Sequence, residues 1–93
     1  MEIQFTSQIF KEGKTYVAHT PELDVSSCGP TRVKAMNNLK EAVRLFLEEA
    51  ERLGTLDRIL EEAGYLKRRQ KLEGPKFIAV ERVSLPLPAH GKA

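Results

Sequence analysis

Apolar residues at Ile3, Phe5 and Ile9 alternate with Gln4, Thr6 and Gln8, the period of two that a half-buried strand requires. A first strand is therefore predicted over residues 3–9. Lys11-Glu12-Gly13-Lys14 supplies a glycine able to take positive φ, and Thr15-Tyr16-Val17-Ala18-His19 is rich in β-formers, so the two strands are expected to form a hairpin. Pro21 ends the second strand, and Val25-Ser26-Ser27-Cys28 reads as a third, stopped by Gly29-Pro30.

The period then changes. Met36, Leu39, Val43, Phe46, Leu47, Ala50 and Leu53 recur at helical spacing behind Thr31, whose hydroxyl is suited to accept from the first helical amides. Gly54 can close this helix, and Thr55 is placed to cap a shorter one with Leu56, Ile59, Leu60 and Ala63 on its inner face before Gly64. Residues 67–75 read as a polar, charged loop. Residues 77–85 are β-branched enough for a last strand, ended by Pro86 and Pro88, and residues 89–93 read as a flexible tail. The expected fold is α+β in the order β-β-β-α-α-β, with a single, mostly antiparallel sheet and its helices on one face.

A length of 93 residues fits one domain, taken here as residues 1–88, and leaves no chain for a second core. With 41% hydrophobic and 30% charged residues the chain has the composition of a globular domain, and no apolar run is long enough for a membrane span. Met1-Glu2-Ile3-Gln4-Phe5 lacks the basic and apolar regions of a secretory signal, so a cytoplasmic location is expected. Cys28 is the sole cysteine, which excludes an intramolecular disulfide and a thiolate-rich metal site, and it is expected to pack as a small buried apolar residue.

The net charge of +2 argues against a dedicated nucleic-acid binder, but the charge is unevenly spread. Residues 41–62 hold seven acids against Arg44, Arg52 and Arg58, and Lys67, Arg68, Arg69 and Lys71 follow directly. That basic patch reads either as a solvated loop or as a grip for phosphates.

Catalytic chemistry finds few carriers. A metal-dependent nuclease needs converging carboxylates, with one in the middle of the first strand, where Gln4, Thr6 and Gln8 stand instead. Glu22, Asp24 and Glu81 form no recognisable ligand set. His19 at the end of the second strand, His90 in the tail and Cys28 assemble no nucleophile, base and orienting group, so His19 is read as a rim residue. No catalytic residue, metal or cofactor is assigned, and the chain is not expected to be an enzyme. The turn Pro21, Glu22, Leu23 and Asp24 is the candidate partner-binding feature, because a loop held by two strands can present its side chains rigidly. The alternative is an ordinary turn.

The run Tyr16-Val17-Ala18-His19-Thr20-Pro21-Glu22-Leu23-Asp24-Val25, then Cys28-Gly29-Pro30-Thr31, then Asn38-Leu39-Lys40-Glu41-Ala42 with Phe46-Leu47, resembles the HicB-like antitoxin family. The likeness covers roughly residues 5–65. It implies a partial ribonuclease H-like fold without that fold's catalytic residues, and a role in binding a small HicA-type toxin that cleaves messenger RNA and hiding its active site. Family members usually continue into a DNA-binding module; here about eight residues follow the predicted last strand, so promoter binding is expected to be absent or supplied by another protein. Arg32 and Lys34 also stand where the family usually has acids in the helix's first turn.

Three readings follow: an antitoxin-like domain that occludes a toxin, a solitary homo-oligomeric scaffold or regulator, and a weak nucleic-acid binder acting through residues 67–71. Self-association to a dimer or tetramer is expected from unpaired strand edges unless Lys76, Glu81 and Arg82 block it.

Overall fold

The computed structural model describes residues 1–88, so the predicted tail and His90 lie outside the described residues. The chain runs β1 (Glu2–Ile3), β2 (Gln8–Glu12), β3 (Thr15–Thr20), β4 (Val25–Gly29), α1 (Arg32–Leu53), α2 (Leu56–Glu62), β5 (Leu66–Arg68) and β6 (Lys71–Glu73). The α+β class is as expected. The single sheet is not: there are two three-stranded sheets, β2-β3-β4 and β1-β6-β5.

A three-stranded antiparallel meander forms, but its first strand is Gln8–Glu12 rather than residues 3–9. β2 pairs antiparallel with β3, and β3 with β4, with Ala18 opposite Ile9 on one side and Ser27 on the other. Gly13 turns the first hairpin at a φ of 62°, a conformation that costs glycine little. α1 lies across β3 and β4 and buries Ala35, Leu39, Val43 and Ala50. Thr31 caps it, its hydroxyl accepting from the Lys34 amide at 3.1 Å, and Gly54 closes it in the left-handed region at a φ of 76°. Thr55 departs from its expected role. Its hydroxyl makes no cap bond to α2 and instead donates to the Ala50 carbonyl at 3.4 Å, joining the helices at the end of α1.

Three strand expectations are corrected. The first strand is broken, because residues 4–7 leave β1 before β2 begins and the Thr6 amide bonds the Glu22 carboxylate instead of a strand neighbour. The polar loop over residues 67–75 holds a hairpin, β5 against β6, with Arg69 at a φ of 54° in its turn. β6 then pairs parallel with β1, the Gln4 amide donating to the Leu72 carbonyl at 3.0 Å. Residues 77–85 form no strand: they are exposed throughout and have no ladder partner among the described residues to satisfy their backbone.

The core joins both sheets and both helices through Ala18, Leu23, Ala35, Leu39, Val43, Leu60 and Tyr65, with Ile3, Phe5, Ile9 and Phe46 packed around them. Leu39 has no exposed surface and sits at its centre. Cys28 is exposed, not buried, because β4 turns alternate side chains outward and the α1 face takes up its neighbour Gly29. A Cβ on Gly29 would lie 2.9 Å from the Ala35 amide nitrogen and from Lys34 Cβ, so the strand end and the helix start touch backbone to backbone.

Candidate functional site

The turn between β3 and β4 opens with Pro21, whose fixed φ and missing amide end the strand. It closes through the Asp24 amide, which donates to the Thr20 carbonyl at 2.8 Å, with Asp24 itself at a φ of 56°. Aspartate tolerates this left-handed position better than most residues because its short polar side chain can bond locally. Here Asp24 Oδ1 lies 3.0 Å from Nε2 of His19, which places the histidine at the rim, as read from the sequence, and holds the carboxylate over the end of β3.

The four residues of the turn do not share one direction. Asp24 is exposed and Pro21 half-buried, but Leu23 is only 8% exposed and belongs to the core. Glu22 also turns inward. Its carboxylate accepts from the Thr6 amide at 3.0 and 3.1 Å, from the Thr6 hydroxyl at 2.7 Å and from the Thr20 hydroxyl at 2.9 Å. Burial opposes its charge, but the bonds from Thr6 and Thr20 outweigh that effect and hold its pKa below the usual glutamate value. The outward presentation expected for Glu22 and Leu23 is thus corrected: the first ties the N-terminal segment to the turn, and the second anchors the turn in the core.

Beside this clamp lies Tyr65, at the step from α2 to β5. Its hydroxyl donates to the Gln4 carbonyl at 2.7 Å. Burial, and then the negative charge of Glu22, push its pKa up to about 12. Gly74 completes the junction, since a Cβ there would stand 3.2 Å from the tyrosine ring and 3.3 Å from Glu22 Cγ. The sequence marked neither Glu22 as a structural clamp nor Tyr65 as its neighbour across the fold. Thr6 and Thr20 carry no local pattern that marks them as partners of a residue across the fold.

The four cations Lys67, Arg68, Arg69 and Lys71 are all exposed on the β5–β6 hairpin and line an open concavity of about 700 Å³ with Gln70 and Glu73. Arg68 is partly neutralised by Glu73 at 3.6 Å. Three of the four acids of α1 are likewise engaged: Arg44 bonds Glu41 and reaches Glu48 at 2.6 Å, and Arg52 bonds Glu49. Such exposed pairs add little stability, but they temper the negative face that composition alone suggests.

Among the described residues no three of histidine, cysteine, aspartate and glutamate gather into a group able to hold a metal ion, and no helix is long and apolar enough to cross a membrane. The site offers a fixed outward carboxylate on one turn and four cations on a hairpin; both suit contact with a charged surface. Neither a protein-family model, nor a curated protein, nor a solved structure matches the chain.

Proposed function

We propose that this chain is a HicB-like antitoxin domain of partial ribonuclease H-like fold, which binds and occludes a small HicA-type, mRNA-cleaving toxin in the cytoplasm and has no catalytic activity of its own. The observation that supports it is the placing of the family-like residues. Residues 16–25, 28–31, 38–42 and 46–47, which carry the resemblance, fall on β3, the following turn, β4 with the step into α1, and the middle of α1, a continuous unit packed on one core. In this reading Asp24, fixed by His19, is the contact that meets the basic RNA-binding surface of the toxin, where opposite charge steers encounter and selects the partner.

Co-expression with the toxin-like protein encoded beside it tests the proposal. A stable complex is expected, weakened about tenfold by Asp24→Ala, the order of 1.4 kcal/mol. No complex, or one that forms without reducing RNA cleavage, ends the toxin reading.

A second reading has its own support in the exposed cations of the β5–β6 hairpin. If they grip nucleic acid, affinity falls steeply with salt and collapses when Lys67, Arg68, Arg69 and Lys71 are all replaced by serine. Binding unchanged by that replacement removes this reading and leaves the first untouched.

A further inference from the structure

Residues 75–88 form a C-terminal arm that is exposed at every position, the longest such run among the described residues. Its eleven positions 77–87 hold six large apolar residues, and all but Phe77 are 74–88% exposed. Single exposed apolar side chains are ordinary, but a continuous series of them marks a surface that something covers. The whole chain presents 7479 Å² to solvent. A compact monomer of its mass presents roughly 5,400 Å², which leaves a surplus on the order of 2,000 Å². That exceeds the roughly 800 Å² that each partner of a specific protein interface buries.

A receptor of matching shape lies on the same molecule. Val33, Met36, Val43 and Leu47 share one stripe of α1, and Ile3, Phe5 and Ile9 stand opposite, lining three adjoining hollows of about 480, 840 and 340 Å³. The first two hollows share Ile3, Phe5 and Lys40, and the last two share Met36, so they make one trough. From Val33 to Glu51 it follows the helix for about 27 Å, and residues 77–85 in extended form cover about 30 Å. β1 ends one sheet and β2 ends the other, so the N-terminal wall of the trough also brings two strand edges without neighbours.

We propose that the arm of a second copy lies in this trough, the two copies exchanging arms reciprocally. A chain's own arm is badly placed to do so. Pro75 and Phe77 already line the 840 Å³ hollow and the arm departs from there. Residues 76–85 contain no Gly, Pro, Asn or Asp with which to reverse direction, and Ile78, Val80 and Val83 are stiff, β-branched residues. Alternate side chains of an extended arm face one way, which groups Phe77, Ala79, Val83, Leu85 and Leu87 with a single charge, Glu81. The trough holds two cations outside any ion pair among the described residues, Arg32 at its end and Lys40, which lines both larger hollows near its middle; Arg44, the third, is engaged by Glu41 and Glu48. Glu81 of one copy on Lys40 of the other sets the register.

Light scattering on the full chain across a dilution series tests the exchange. The expected particle has twice the 10.5 kDa mass of one chain. Val83→Asp with Leu85→Asp, both at exposed positions that the fold does not need, should weaken the dimer at least tenfold while circular dichroism stays unchanged. Glu81→Lys and Lys40→Glu should each weaken it about tenfold. Mixing the two single variants should restore it, because each arm then meets an opposite charge in the other copy's trough, whereas an arm folded onto its own chain gains nothing from mixing. A chain that stays monomeric at every concentration, a dimer indifferent to the charges placed on the arm, or variants that mixing does not rescue would each overturn the proposal. These outcomes leave the toxin reading standing, since its test reads a complex between different proteins.

Discussion

The hydroxyl of Tyr65 donates a hydrogen bond of 2.7 Å to the carbonyl of Gln4, a residue 61 positions earlier in the chain. It fastens the entry of β5 to the strand at the N-terminus, while Glu22 fastens Thr6 two residues further on. Together these bonds hold the segment that links the two sheets.

Removing the Tyr65 hydroxyl should therefore loosen that junction. Tyr65→Phe is expected to cost about 1 kcal/mol, the net worth of a hydrogen bond, with the ring's packing retained. Because the folded-state pKa is raised above the ordinary value of 10.0 to about 12, the hydroxyl's contribution is complete below pH 10 and is lost as pH rises through about 12. Ultraviolet titration should show a late-titrating phenol that is missing in the variant, and an early, undelayed titration of both tyrosines would contradict this.

Glu22 acts at the other end of the pH scale. Its folded-state pKa lies below its ordinary value of 4.5, so its contribution is present above that value and is lost as pH falls through the lower, folded-state one. Glu22→Gln should cost about 1–2 kcal/mol at neutral pH, since a charge-assisted acceptor becomes a neutral one. Urea unfolding at a series of acid pH values should show the two proteins converging as the pH drops.

Gly29→Ala is expected to be one of the more costly single-methyl changes. The added Cβ meets the backbone of α1 at 2.9 Å, and helix and strand must separate to admit it. Overpacking of this kind costs about 1–3 kcal/mol, seen as a lower urea midpoint with an unchanged slope. A midpoint equal to that of the parent protein would mean that the strand end and the helix start are not in contact.

Ser7 offers a change in the opposite direction. Its hydroxyl is buried and has no hydrogen-bond partner among the described residues. Ser7→Ala removes a polar group desolvated without return, so it should be neutral or stabilise by up to about 1 kcal/mol. Thermal unfolding of the pair decides the sign, and a marked loss of stability would show that the hydroxyl has a partner.

Much of the fold was written locally. The β-forming run at residues 15–19, the glycine at the first hairpin, and the helical spacing between Thr31 and Gly54 each act between near neighbours, where side-chain period and backbone propensity settle the outcome. Pairings across the chain were not written in that way. Residues 77–85 have the composition of a strand, yet it is the polar stretch of β5 and β6 that reaches β1, because a ladder needs a partner edge in range and composition cannot say which segment arrives there.

The site divides along the same line. Sequence alone marked the Pro21–Asp24 turn and the cations of residues 67–71, since proline, aspartate and clustered charge are local signals. Only the tertiary structure decided that Glu22 and Leu23 face inward while Asp24 faces out, and that the cations ride on a hairpin. A side chain's direction at a turn depends on what the rest of the chain brings to it. For Glu22 that is Thr6, sixteen residues away along the chain and within hydrogen-bonding distance once it folds.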